Sequence, residues 1–135
     1  MPRILAIDYG AKRTGLAVTD PLKIIASALE TVPSEKLIDY LKKYTQSEEV
    51  EAFVVGMPKS LDGTDTHGTV YVNKLIEELK IHFPVMPVHL VDERFTSKMA
   101  VQTMIAGGMK KKDRQVKGNV DKISAVIILQ SFMGT

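Results

Sequence analysis

Short apolar runs dominate the first third of the chain. Ile4, Leu5, Ala6 and Ile7 form one run, and Gly15–Val18 forms a second, with Tyr9, Gly10, Ala11, Lys12 and Arg13 between them. A strand, a tight glycine-bearing turn and a returning strand account for this pattern. Successive positions are apolar in both runs, so both faces of each strand are expected to be covered. Ile24–Thr31 can supply a third strand, antiparallel at an edge. Pro33 and Ser34 then open a helix with Leu37, Ile38, Leu41 and Tyr44 as its apolar stripe and Ser34 as the expected N-cap.

Ala52–Met57 is short, apolar and rich in β-formers, which predicts a buried strand; a loop with Gly63 and Gly68 follows. Thr69–Phe83 repeats apolar residues at Val72, Leu75, Ile76, Leu79 and Phe83, the spacing of an amphipathic helix. Pro84 and Pro87 bracket its exit, and Val88–Val91 reads as the next strand. Thr96 or Ser97 can cap a further helix with Ala100, Val101, Met104 and Ile105 inward, stopped by Gly107 and Gly108. Met109–Gly118 is basic and structurally weak, and Val120–Met133 is a last helix, apolar around much of its circumference and so expected to be largely buried. The order predicts an α/β fold: a mixed five-stranded sheet, an antiparallel meander of three strands plus two parallel strands reached by helical crossovers, with helices on both faces. No internal repeat or low-complexity segment interrupts it, and residues 1–135 are expected to form a single domain.

Composition narrows the chemistry. The chain has no cysteine, which excludes disulfides and thiolate metal sites and leaves oxygen-ligated Mg²⁺ or Mn²⁺ open. No signal peptide is recognisable and no apolar run approaches a membrane span, so a cytoplasmic protein without a membrane partner is the expectation. The net charge of +2 does not by itself indicate a nucleic-acid partner. Its distribution says more, because Lys110, Lys111, Lys112, Arg114 and Lys117 crowd into one segment.

Three acids stand where chemistry can be built. Asp8 ends the first strand, Glu93 follows the last strand, and Asp121 stands at the start of the last helix. Ligands of open α/β sheets bind outside the carboxyl ends of the parallel strands, so Asp8 and Glu93 are expected on one edge. Asp121 joins them only if the final helix packs with its N-terminus there. Three converging carboxylates are unstable without cations. Two divalent metals held by such a set suit in-line phosphodiester displacement, with no protein nucleophile required. Each acid also has a plainer reading. Asp8 could bond its own turn, Asp121 could favour its helix N-terminus through the macrodipole, and Asp92 and Glu93 could be loop acids paired with Arg94. Asp20 and Asp62 read as turn residues.

With these residues in view, the chain resembles the YqgF (RuvX) family of RNase H-like proteins. Four segments carry the resemblance, in family order: Asp8–Asp20 (DYGAKRTGLAVTD), Val55–Thr64 (VGMPKSLDGT), Asp92–Thr96 (DERFT), and Val120–Ala125 (VDKISA) with Ile128–Gln130 (ILQ). Together they span essentially the whole chain. The resemblance implies an RNase H-like fold and a metal-dependent nuclease that processes the 5′ end of pre-16S rRNA in ribosome biogenesis. It also carries a Holliday junction resolvase label. It maps the family's catalytic and metal-binding acids onto Asp8, Glu93 and Asp121, with Mg²⁺ or Mn²⁺ as cofactor. Thr14 and Ser124 depart from it, standing where bulkier or apolar residues are common.

Lys12 and Arg13, in the turn beside Asp8, are candidates to hold a phosphate, as is Arg94; a solvated turn with a salt bridge is the alternative. Lys110, Lys111 and Lys112 would grip a phosphate backbone through charge, against the alternative of a solvated basic loop. Gly56–Thr64 lacks the Gly-Lys-Ser/Thr ending of a Walker motif. His82 and His89 read as packing or surface residues, and His67 is a weak candidate for proton transfer. No interleaved aromatic platform for stacking bases stands out. The partners expected are nucleic acid (pre-rRNA first, branched DNA second) and a ribosomal precursor particle, for a monomer or weak homodimer. Two other classes compete: a non-catalytic nucleic-acid binder that keeps the fold, and a sugar-kinase or actin-like ATPase, which would need two such domains.

Overall fold

The structure is a computed structural model that describes residues 2–57, 67–92 and 117–133; within the helices, the side chains of residues 67–68 and 117–121 fall outside that description. Its strands are β1 (Arg3–Tyr9), β2 (Arg13–Thr19), β3 (Ala26–Pro33), β4 (Val50–Met57) and β5 (Val88–Asp92). They form one sheet in the order β3-β2-β1-β4-β5. The pairs β1–β2 and β2–β3 are antiparallel, while β1–β4 and β4–β5 are parallel. The expected meander plus two parallel strands is therefore present, with β3 at one edge.

The helices are α1 (Leu37–Ser47), α2 (His67–His82) and α3 (Lys117–Met133). The helix expected after Thr96 or Ser97 lies outside the described residues, as does most of Met109–Gly118. Lys117 and Gly118 already belong to α3, which starts three residues before the expected Val120.

Pleating divides the apolar runs between two cores. Leu5, Ile7, Leu16, Phe53 and Val55 meet α1 and α2 through Leu37, Leu41, Val72, Leu75 and Leu79. Ala6, Ala17 and Val54 meet α3 through Ala125, Ile128 and Leu129. Each fully buried leucine or isoleucine contributes about 1.5–3 kcal/mol by leaving water. The second core is thinner, because Ala6 and Ala17 are register partners on neighbouring strands and Ala125 faces them from the helix. Small side chains on both surfaces let α3 lie close to the sheet.

One local expectation is corrected. Ser34 does not cap α1. It begins a 3-10 turn, Ser34–Lys36, whose N-cap is Pro33 and which has no side-chain cap. The Ser34 hydroxyl is turned inward to the β1–β2 turn, where a tertiary partner outcompetes the local one.

Candidate active site

Asp8 continues the pleat row of Ile4 and Ala6, both in the core beneath α3. Its side chain therefore belongs to the α3 face, one step beyond the last buried residue of that row, and it is half-buried. The register fixes its level. Ile7 pairs with Val55 and Val55 with Leu90, so Asp8 stands level with Gly56 and Val91. Asp92 ends β5 at the same end of the sheet, two strand spacings or about 10 Å from the line of β1. Glu93, the next residue, lies outside the described residues, as do Arg94, Lys110, Lys111 and Lys112.

The direction of α3 follows from one ring contact. Phe132, near its C-terminus, packs on His89, near the start of β5, with ring centroids 4.9 Å apart. The helix thus runs antiparallel to β1, β4 and β5, and its N-terminus points to the end that carries Asp8 and Asp92. From Phe132 back to Asp121 is eleven residues, or about 16 Å of helix, enough to reach past the level of Asp8. The side chain of Asp121 itself is outside the described residues. Ser124, one turn after Asp121, is 1% exposed, and its hydroxyl has no hydrogen-bond partner among the described residues. Among the described residues it is thus a polar atom without a partner in the α3–sheet interface.

The turn beside Asp8 is held by Ser34. The Gly10 N–H donates to the Arg13 carbonyl at 3.0 Å, and the Ser34 N–H donates to the Lys12 carbonyl at 3.0 Å. The Ser34 hydroxyl donates to the Gly10 carbonyl at 2.5 Å. Its only proton is then committed, so the hydroxyl contact with Thr14, at 2.8 Å, has Thr14 as donor. Thr14 is wholly buried. Gly10 is required by space, because a Cβ there would stand 2.5 Å from the Arg13 carbonyl oxygen. Lys12 and Arg13 are exposed on this pinned turn. Tyr9, after Asp8, faces the opposite core; burial, then the charge of Glu78, raises its phenol above the ordinary value.

No group of three His, Asp or Glu residues able to hold a metal occurs among the described residues. Of the three acids singled out, only Asp8 has a described side chain. The donor chemistry itself fits a hard divalent cation: carboxylate oxygens at one end of the sheet and no cysteine thiolate anywhere in the chain. His82 and His89 are exposed, His89 against Phe132, as expected of surface or packing histidines. Asp20 is a turn residue as expected. Its carboxylate accepts the N–H groups of Leu22, Ile24 and Ile25 at 3.2, 2.8 and 2.7 Å. Asp62 and His67 lie outside the residues whose side chains are described. The sequence did not reveal an aromatic pair on α1, Tyr40 and Tyr44, with rings 6.3 Å apart and nearly parallel. Its signal was the i, i+4 spacing, which also suits an ordinary helix face.

This sheet order, with helices on both faces and an aspartate ending the central strand, defines the RNase H-like class to which RuvC-type resolvases belong. Solved structures show the same fold. The T. thermophilus RuvC in complex with Holliday junction substrate aligns over 100% of this chain and 98% of its own, with a TM-score of 0.58 at 19% identity. The Fowlpox virus resolvase in a Holliday junction DNA complex covers 98% and 97%, with a TM-score of 0.59 at 12% identity. Within that class, the chain belongs to the RuvX family, whose model, described as Holliday junction resolvase, matches residues 2–135. A relative from Christiangramia forsetii is 55% identical over 133 residues, 98% of each chain, and one from Flavobacterium johnsoniae is 52% identical over 135 residues, 100% of this chain and 98% of its own. Both bear the name "Putative pre-16S rRNA nuclease".

Proposed function

We propose that this protein is a metal-dependent nuclease that hydrolyses phosphodiester bonds, acting at the 5′ end of pre-16S rRNA in the cytoplasm. The observation that carries the reading is the end-to-end identity, 55% over 133 residues, with relatives named for that activity. The geometry is in keeping with it, since Asp8 and the N-terminus of α3 share the carboxyl end of the parallel strands. Asp8, Glu93 and Asp121 would hold Mg²⁺ or Mn²⁺. When bound, the metal supplies water activation and stabilises the charge of the leaving oxygen. The chain's own part is to orient and to balance charge. Asp8 is fixed by its place in β1. Lys12 and Arg13, on a turn that Ser34 pins, offset phosphate charge beside it. Arg94 and Lys110–Lys112 extend the contact to the nucleic-acid backbone.

The test is cleavage of two labelled substrates, an rRNA 5′-leader RNA and a four-way DNA junction, with Mg²⁺ or Mn²⁺. Asp8→Asn, Glu93→Gln and Asp121→Asn are each expected to abolish RNA cleavage while the circular dichroism spectrum is kept. Near-wild-type rates in all three variants overturn the site. A second reading, junction resolution, is favoured by the family description and the resolvase folds. Junction cutting lost in Asp8→Asn, without RNA cutting, establishes it instead and calls for a dimer. Binding without cutting of either substrate, including on a ribosomal precursor particle, leaves a non-catalytic binder. No helix among the described residues is long and apolar enough to cross a membrane.

A further inference from the structure

Beside the pinned turn, two hollows meet at Pro33. One, of about 250 Å³, is lined by Ala11, Lys12, Pro33 and Glu35. The other, of about 320 Å³, is lined by Val32, Pro33, Lys36, Asp39, Tyr40 and Lys43. Lys36, Asp39, Tyr40 and Lys43 are spaced i, i+3, i+4 and i+7, a single face along the start of α1. The two hollows share Pro33 as a wall, one lying at the turn beside Asp8 and the other along the start of α1, and together they are termed the groove.

Its chemistry is uneven. Lys12, Lys36 and Lys43 are exposed, and among the described residues none of them is in an ion pair. Tyr40 is half-buried and lines the larger hollow, with the nearly parallel ring of Tyr44 beside it. Two acids, Asp39 and Glu35, also line it, so it is not a uniformly basic surface. Lysines that can reach phosphates, an aromatic face for a base, and a carboxylate able to accept from exocyclic amino groups form the donor set that single-stranded nucleic acid requires.

We propose that this groove binds a single-stranded RNA segment continuous with the strand at the active site. Lys12, Lys36 and Lys43 follow its phosphates and Tyr40 stacks on a base. The proposal rests on the nuclease reading and extends it to the path by which the substrate strand leaves the reacting phosphate. A duplex is too stiff to turn around the β3 edge, whereas a single strand can follow it.

The experiment is fluorescence anisotropy with a labelled single-stranded RNA in EDTA, where binding is read without cleavage, over a range of salt. Lys36→Gln/Lys43→Gln is expected to weaken binding and reduce the slope of log K against log salt by about 1.4, two contacts at about 0.7 each. Tyr40→Ala is expected to weaken binding roughly five- to hundredfold, and Tyr40→Phe to restore it, because stacking needs the ring and not the hydroxyl. Should Tyr40→Ala fail to fold, the exposed lysine pair and the phenylalanine variant still decide. A 4-thiouridine-substituted RNA is expected to photocross-link to the α1 peptide containing Tyr40. Unchanged affinity and slope in the lysine variant, with the wild type binding RNA, overturn the groove but leave the nuclease reading standing. A wild type that binds no RNA overturns the groove, and the cleavage assay with Mg²⁺ or Mn²⁺ decides the nuclease reading separately.

Discussion

Replacing Ser34 by alanine would test how the turn beside Asp8 is held. The Ser34 hydroxyl joins the Gly10 carbonyl to the Thr14 hydroxyl, at 2.5 and 2.8 Å. Thr14 is wholly buried. Its hydroxyl would be left without a partner, at a cost of about 1–3 kcal/mol. The Gly10 carbonyl is only partly buried and can recruit water, so its loss adds less, about 0.5–1 kcal/mol. The bond from the Ser34 N–H to the Lys12 carbonyl survives, so the turn loosens without being released. The expected total is about 1.5–4 kcal/mol, or roughly 5–14 °C in Tm for a chain of this size.

Urea unfolding of Ser34→Ala, Thr14→Val and the double variant measures it, read as a midpoint shift at constant m. Thr14→Val alone should cost about 1 kcal/mol, since the Ser34 hydroxyl keeps its bond to Gly10. Once Thr14 is gone, Ser34→Ala no longer strands a buried hydroxyl, so the double variant should be about 1 kcal/mol less destabilised than the sum of the singles. Strict additivity, or a Ser34→Ala cost below about 0.5 kcal/mol, would refute the network.

Three further outcomes are expected. Gly10→Ala should destabilise by about 1–3 kcal/mol and lower cleavage with it, because its Cβ meets the Arg13 carbonyl oxygen at 2.5 Å; an unchanged unfolding midpoint would show that the turn can yield. The Ile25 N–H first, with those of Ile24 and Leu22, holds the Asp20 carboxyl below its ordinary 3.8. Its contribution to the β2–β3 loop is thus present above that value and fades as pH falls through the lower folded value, so Asp20→Asn should speed amide exchange at Ile24 and Ile25 near neutral pH, and equal exchange would remove the role. Neutralising Lys110, Lys111 and Lys112 should weaken substrate binding and flatten its salt dependence by up to about 2 in slope for RNA; an unchanged slope would exclude those lysines as phosphate contacts.

The strands were legible because each is a contiguous apolar run, and such runs leave few alternatives. The same continuity hid which residues face which layer. Ala6 and Ala17 looked like ordinary members of their runs, yet their small size is what brings α3 near the sheet. Ser34 was misread for a related reason. A serine before a helix is an N-cap by local rules, and only the folded chain brings Gly10 and Thr14, 24 and 20 residues away, within its reach. Tyr44 was read as part of an apolar stripe and Tyr40 was passed over, since i, i+4 spacing is the same for a core face and for a stacked pair. The direction of the last helix was not readable from the sequence at all. It depended on Phe132 meeting His89, a contact across 43 residues that no periodicity encodes.

That direction bears on why acids can gather at this end of the sheet. With its C-terminal turn at the start of β5, α3 carries its N-terminus, the positive end of its dipole, toward the end of the sheet where Asp8 stands. At a partly exposed position this favours a carboxylate by about 0.3–1 kcal/mol. Convergence of Asp8 with Glu93 and Asp121 would set carboxylates against one another, and two such charges about 4 Å apart repel by about 4 kcal/mol at an effective dielectric near 20. The dipole is too weak to offset three such pairs, and Lys12 and Arg13 sit on an exposed turn where water screens them. With the metal removed, one of the three acids should therefore keep its proton near neutral pH. Adding Mg²⁺ at pH 7 should release that proton, measurable as buffer-dependent heat in calorimetry. Heat that does not vary with the buffer's ionisation enthalpy would mean that the three carboxylates do not share a site.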